Sequence, residues 1–383
     1  MSVTAEKAKP TKPKKPKLNS YPFWSPRFWH GMRLGHWVRL LTRNRFRIHP
    51  LRIPMAVLIT PCAIVNSTLH GIQKLVYGRR VRETVIHEPP VFIIGHWRSG
   101  TTYLHELLVR DDRFAFPTTY ECFAPSHFLI SGGVLPRLMW ILLPAKRPMD
   151  NMAAGFHHPQ EDEFALCAMG APTPYQRMAF PNNPPPHLEF LDMEGVSEQD
   201  LQVFKQALME FVQLLTFYKG KRLILKSPPH TGRIQVLSEM FADARFIHIV
   251  RDPYAIFPST RRLWQSLDAV QGLQLPRHTD LDEYVFRCFE RMYHGFEQQR
   301  SAIDPSRICD VRYEDLVQDP IGQVRTLYEK LDLGDFEHVR QKLQDYVGSQ
   351  KNYQTNRHEL EPEITAQIAR RWSGYIEKYG YAD

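Results

Sequence analysis

A short apolar run, Val91-Phe92-Ile93-Ile94, leads directly into Gly95-His96-Trp97-Arg98-Ser99-Gly100-Thr101-Thr102 and then a helical stretch from Tyr103 to Leu108. Strand, small-residue loop and helix in that order dictate a local α/β unit. Glycines let backbone N–H groups turn inward around an anion, and the following helix aims its positive end at the same point. The nucleotide-triphosphatase loop G-x-x-x-x-G-K-[ST] uses its lysine for the β- and γ-phosphates and its hydroxyl for magnesium. Here the spacing from Gly95 to Gly100 is kept, but Thr101 stands at the lysine position and the cation lies inside the loop, at Arg98. The pattern predicts an anion site for a donor other than a magnesium-bound triphosphate.

Two further apolar runs, Arg222–Leu225 and Arg245–Val250, are separated from the first by segments of helical character and read as buried parallel strands. The expected fold is therefore α/β: a P-loop-like three-layer α/β/α arrangement with a central parallel sheet. The stretch between the first two runs is too long for a plain loop. It is taken as a mostly helical insertion over about 121–220, with helices around Ser131–Leu143 and Glu198–Phe217 and a proline-dense part, Pro172 to Pro186, that should wrap the surface. After Leu263 the chain reads as mainly helical, to the aromatic-rich segment Trp372-Ser373-Gly374-Tyr375.

The net charge of +8 conceals an asymmetry. Residues 1–82 carry 17 Lys and Arg against one acid, Glu6, which leaves residues 83–383 at −8. Residues 1–20, rich in Lys and Pro, are expected to be a disordered basic tail; 21–82 a basic aromatic helical arm; and 83–383 the main domain. In the arm, Tyr21, Phe23, Trp24, Phe28, Trp29 and Trp37 alternate with arginines. Such a mixture suits an anionic membrane surface, or an arm whose aromatics pack on the main domain, the reading preferred here. Nucleic acid is not expected as a partner. No secretory signal is read, and the run from Met55 to Val65, interrupted by Pro61 and followed by Asn66, Ser67 and Thr68, looks too short to span a bilayer. Five scattered cysteines without a C-x-x-C pair argue against a disulfide framework or thiolate zinc site and for a reducing compartment. The expected location is cytoplasmic, with the arm as a means of peripheral membrane contact.

A second motif, Arg245 to Pro253, is followed by Ser259, eight residues beyond Arg251. An arginine at a strand end and a serine in the next turn can both donate to one phosphate, although an Arg-Asp-Pro strand exit with a local salt bridge reads the same way. A third is Arg312-Tyr313-Glu314-Asp315-Leu316-Val317 with Asp319-Pro320. With Arg98-Ser99-Gly100-Thr101-Thr102, these motifs resemble the sulfotransferase family that uses 3′-phosphoadenosine 5′-phosphosulfate (PAPS), nearest its bacterial and tyrosylprotein-type branch. The resemblance spans residues 90–380 approximately.

The resemblance implies PAPS as co-substrate, 3′,5′-ADP as product and no metal. It implies that Arg98, Ser99, Gly100, Thr101 and Thr102 hold the 5′-phosphosulfate and Arg251 and Ser259 the 3′-phosphate, with Tyr313 and the late-loop Arg357 as further nucleotide contacts. Lys226, ending a predicted strand, matches the family lysine that stabilises the leaving oxygen. A base must also take the acceptor's proton. Glu121 occupies the family position and is the expected base. Its rival is His157-His158-Pro159-Gln160-Glu161-Asp162-Glu163, with His158 as a catalytic candidate, although Gln160 departs from the related H-x-P-E-E pattern. The same acids also suit a helix N-terminus. His230 reads either as a pocket base or as a helix cap. The acceptor is open among carbohydrate, lipid, protein tyrosine and small alcohol or phenol. Two other functions remain in view: a P-loop small-molecule or nucleotide kinase, against which Thr101 argues, and a membrane-surface interaction protein with an inactive catalytic domain.

Overall fold

Val91–Ile94 form β1, the middle strand of a five-stranded parallel sheet in the order β2-β3-β1-β4-β5. The other strands are β2 (Phe114–Ala115), β3 (Arg222–Lys226), β4 (Arg245–Val250) and β5 (Ile308–Arg312). This is a computed structural model, and it describes residues 21, 25–139, 155–349 and 360–382. Phe92 lies opposite Leu225 of β3 and Phe246 of β4. Side chains alternate across a strand, so the apolar runs divide between two faces. Phe92, Ile94, Leu223, Leu225 and Phe246 join one core; Val91, Ile93, Ile224, Ile247 and Ile249 join the other. On the second face pack helix α3 (Thr101–Leu108) and the helices Pro320–Leu331 and Glu337–Ser349. The first is covered by the N-terminal arm, the insertion and the helix Leu281–Arg300. The fold is thus the expected three-layer α/β/α sandwich.

The long helix predicted from Glu198 runs from Glu198 to Lys219. Ser197 caps it by accepting from the Asp200 N–H at 3.1 Å, and Gly220 ends it in the left-handed region. Around Ser131–Leu143 the described part consists of the short helices Phe128–Ser131 and Leu135–Met139. Two expectations change. Residues 172–180, inside the proline-dense stretch expected at the surface, are all buried. Tyr175, Met178 and Phe180 enter the core, and Arg177 is tied to Asp268 by hydrogen bonds of 2.7 and 3.0 Å.

The second change concerns the arm, which holds α1 (Leu34–Arg43) and α2 (Ile53–Arg82). Pro61 lies inside α2 without ending it, and Ser67 and Thr68 turn their hydroxyls back to the Ala63 and Ile64 carbonyls, at 2.9 and 3.2 Å. By length and composition, the segment Pro50–Arg82 is long and apolar enough to cross a membrane, contrary to the short interrupted run read from the sequence. Its inner side packs on protein. Trp29 and Trp37 are fully buried, with Trp29 Nε1 donating to the Gln271 carbonyl (2.6 Å) and Trp37 Nε1 to Thr60 (3.1 Å). These aromatics pack as preferred. Phe23 and Trp24 lie outside the described residues.

Candidate active site

Gly95 and Gly100 open the loop after β1 with φ of +142° and +106°. A Cβ at Gly95 would stand 2.5 Å from the Ile249 carbonyl oxygen, and one at Gly100 would stand 2.3 Å from the Tyr313 ring, so neither place admits a side chain. The loop delivers Gly100 as the N-cap of α3, with no acid in the first turn to oppose an anion. Ser99 is fully buried, and its hydroxyl has no hydrogen-bond partner among the described residues. A closely fitted backbone cradle with an unmatched hydroxyl has the chemistry of an anion pocket.

Residues far apart in sequence meet at its mouth. Arg98 Nε donates to Ser259 Oγ at 2.9 Å, and Arg251 Nη1 donates to the Arg98 carbonyl at 2.9 Å. The Arg251 guanidinium lies 4.2 Å from the Tyr313 ring centre, a cation–π contact. Arg98, Arg251, Ser259 and Tyr313 are therefore brought together. The Arg251 backbone is fixed from the far end of the chain: its N–H donates to Tyr375 Oη (3.0 Å), and the Tyr375 hydroxyl bonds back to its carbonyl (2.9 Å). Arg357 lies outside the described residues.

Lys226, at the end of β3, is only 2% exposed, and its Nζ donates to Glu161 Oε1 at 2.7 Å. It is not a solvated strand-end lysine. Tyr175 donates to the other Glu161 oxygen, Oε2, and Trp97 of the loop donates its indole N–H to Tyr175 Oη at 2.8 Å. A chain of contacts thus runs from Lys226 through Glu161 and Tyr175 to the loop. Burial pushes the Tyr175 hydroxyl well above its usual pKa, and the adjacent Glu161 charge adds to this, so Tyr175 stays a donor.

The next two acids are matched in register. Asp162 accepts from Ser227 (2.8 Å) and sits 2.6 Å from His230 Nε2; Glu163 takes Arg233 in a fork, at 2.7 and 3.0 Å, as well as the Thr173 hydroxyl. Burial opposes ionisation of Asp162, but His230 and Ser227 outweigh it and hold the carboxyl below its ordinary pKa. His230 is thus a buried partner of Asp162 within the 3-10 helix Pro228–Arg233, not the cap of a helix at Thr231; the α-helix that follows begins at Ile234. His105 is buried, its ring edge-on to Phe116, and its ring nitrogens have no hydrogen-bond partner among the described residues. Burial and then the Lys226 charge press it to about 3, so it is neutral.

Glu121 is held by two partners of its own. Its Oε2 accepts the Thr118 N–H (2.7 Å) in a capping box at the start of α4 (Thr119–Phe123), and its Oε1 pairs with Lys219 at 2.9 Å. His158 is exposed; its backbone carbonyl accepts the Thr119 N–H at 2.9 Å. In the cluster that competed with Glu121 in the sequence, Glu161, Asp162 and Glu163 pair with Lys226, His230 and Arg233, while His158 remains at the surface. Trp97 and Tyr175 are the components that sequence reasoning missed. Three consecutive acids before an apolar helix were the available signal for a buried cationic partner, but nothing in the sequence pointed to Tyr175.

An α/β sheet with an anion loop, a strand-end arginine–serine site and a buried lysine–glutamate pair defines a group-transfer enzyme. The profile of the sulfotransferase family matches residues 89–338, and the chain belongs to that family and is a sulfotransferase. It is 47% identical, over 95% of its length and 94% of theirs, to ω-hydroxy-β-dihydromenaquinone-9 sulfotransferase Stf3 of Mycobacterium bovis (strain ATCC BAA-935 / AF2122/97) and of Mycobacterium tuberculosis (strain CDC 1551 / Oshkosh). In fold it resembles the crystal structures of sulfotransferase STF9 from Mycobacterium avium (TM-score 0.69, 18% identity, 86% of each chain) and STF1 from Mycobacterium tuberculosis H37Rv (TM-score 0.63, 17% identity, 89% of this chain and 91% of that one).

Proposed function

We propose that this sulfotransferase moves the sulfuryl group of PAPS to the hydroxyl of a lipid acceptor, with Glu161 as the base. The observation that carries this reading is the buried Lys226–Glu161 pair, joined through Tyr175 to Trp97 of the anion loop. The residues present fit the donor: a cradle closed to side chains and an unmatched Ser99 hydroxyl for the phosphosulfate, and two arginines at one mouth for the 3′-phosphate. The backbone from Arg98 to Thr102 would hold the first and Arg251 with Ser259 the second, with Tyr313 and Arg357 as further nucleotide contacts. When bound, PAPS supplies a sulfuryl group attached to a phosphate leaving oxygen. Lys226 provides the positive charge that oxygen requires as its bond to sulfur breaks. Glu161 accepts the hydroxyl proton as the new S–O bond forms, while Tyr175 keeps its second oxygen oriented.

The acceptor class follows the relatives, whose name specifies an ω-hydroxylated dihydromenaquinone. The five cysteines are free, which supports a reducing, cytoplasmic location. Purified protein incubated with labelled PAPS and a hydroxylated menaquinone should yield a labelled, solvent-extractable sulfate ester, unaffected by chelator. Failure to transfer label, together with magnesium-dependent ATP binding in place of 3′,5′-ADP binding, would overturn the proposal.

A further inference from the structure

α2 is apolar on two opposite sides. Inward, Met55, Ile59, Ala63 and Val81 are buried. Outward, Ile53, Val57, Ile64, Ile72, Leu75 and Val76 are between 46 and 87% exposed. Their spacing in threes and fours places them on one helical face, and the exposed Pro61 and Thr68 continue the stripe through the intervening turns. From Ile53 to Gln73 there is no Asp, Glu, Lys or Arg, a stripe of roughly 30 Å at 1.5 Å per residue. A contiguous exposed apolar surface of this kind marks a docking site.

The charge around the stripe selects the partner. Exposed Lys74, Arg79, Arg80 and Arg82 stand at its C-terminal end, and exposed Arg45 and Arg47 flank the exposed Phe46 beyond its N-terminal end. Residues 7–82 contain no acid. Apolar side chains between cationic ends match the acyl boundary and the headgroups of an anionic bilayer. The opposite side of α2 is fastened to protein: Asn66 Nδ2 donates to the His30 and Met32 carbonyls (2.6 and 3.0 Å), and Gln73 Nε2 donates to the Ser126 carbonyl (3.0 Å). A helix held this way lies along a membrane and does not cross it.

We infer that the outer face of α2 docks the enzyme on an anionic membrane, lying flat in the interfacial layer. The arm also reaches the site, since the Phe28 ring stacks on Phe164 (3.7 Å) in the helix that Glu161 caps. The docked protein therefore holds this helix through the same arm that contacts lipid. The purpose of docking rests on the lipid-acceptor reading; the docking itself is tested separately.

Flotation of the full-length protein with vesicles of equal parts phosphatidylglycerol and phosphatidylcholine provides the test, with 3′,5′-ADP titration run in parallel. Wild type should float with these vesicles, and less with phosphatidylcholine alone or in high salt. The double variant Ile64→Asp, Leu75→Asp should lose at least about tenfold in vesicle partition while binding 3′,5′-ADP as wild type does. Wild type that binds 3′,5′-ADP but ignores vesicles overturns the inference. So does a double variant that floats equally well, or a homodimer in sedimentation velocity that the double variant dissolves. Vesicle binding without 3′,5′-ADP binding would leave docking standing and remove the donor assignment.

Discussion

Glu121 and Glu161 are both buried carboxylates with both oxygens engaged, and their partners set their duties. Glu121 answers a helix N-terminus and Lys219, groups that hold local structure. Glu161 answers Lys226 and Tyr175, groups linked to the anion loop. Glutamine at 161 keeps the shape and an oxygen for Lys226 but cannot take a proton. Glu161→Gln should therefore lower kcat by roughly 10²–10⁴-fold, the usual contribution of a positioned base, with 3′,5′-ADP affinity nearly unchanged. Glu121→Gln should keep kcat and cost roughly 1–5 kcal/mol of stability, from a weakened capping box at the low end to a broken buried pair with Lys219 at the high end. Steady-state kinetics and urea melts of the two variants separate the roles; the opposite pattern would return the base to Glu121. A variant of either Glu161 or Lys226 breaks the buried ion pair, at a cost of about 3–5 kcal/mol, so kcat is compared on protein that the urea melt shows to be folded.

At the scale of elements, the arm and its seat are held by histidines that must stay neutral. His30, His36 and His127 are each lowered to about 4, in every case chiefly by burial. His127 contacts Asn66 of α2 at 3.0 Å, and His30 Nδ1 accepts the Arg27 N–H at 3.0 Å. Below their ordinary pKa of 6.5, the unfolded chain binds protons that the folded one refuses. The stability present above 6.5 is consequently lost as pH falls toward about 4, by something on the order of 1 kcal/mol per histidine near pH 5. Urea midpoints at neutral and mildly acid pH check this; equal midpoints would refute it. The elements themselves differed in legibility. β1, β3 and β4 were readable because strands covered on both faces are continuous apolar runs. β5 was not, because this edge strand carries Asp310 and Arg312 outward, and β2 is only two residues long. α2 was misread at Pro61, where the missing bond is to the carbonyl of Val57, a residue on the exposed side, and the inner side stays packed.

The whole molecule is knitted together at the anion loop. Loop residues 95–102, the end of β3, the turn after β4 and the motif at Tyr313 all converge there, and the C-terminal segment secures them: Tyr375 holds Arg251, while Tyr381 donates to Glu314 Oε2 (2.9 Å), whose Oε1 takes the Asp252 N–H (3.1 Å). The sequence exposed the individual motifs because each is local, but the closing contacts join residues more than sixty positions apart that share no local signal. Such an architecture makes ligand affinity and global stability one quantity. A nucleotide that binds only the assembled site stabilises the fold by RT ln(1 + [L]/Kd), about 2.7 kcal/mol at a hundredfold excess over Kd. Saturating 3′,5′-ADP should therefore raise the thermal midpoint of wild type and slow proteolytic cleavage after residue 372, whereas ATP with magnesium should do neither. Tyr375→Phe leaves the half-buried Arg251 N–H without its acceptor, a loss of about 1–3 kcal/mol, and should weaken 3′,5′-ADP binding and shrink the shift together. A full shift in that variant would show that the donor site closes without the C-terminal segment.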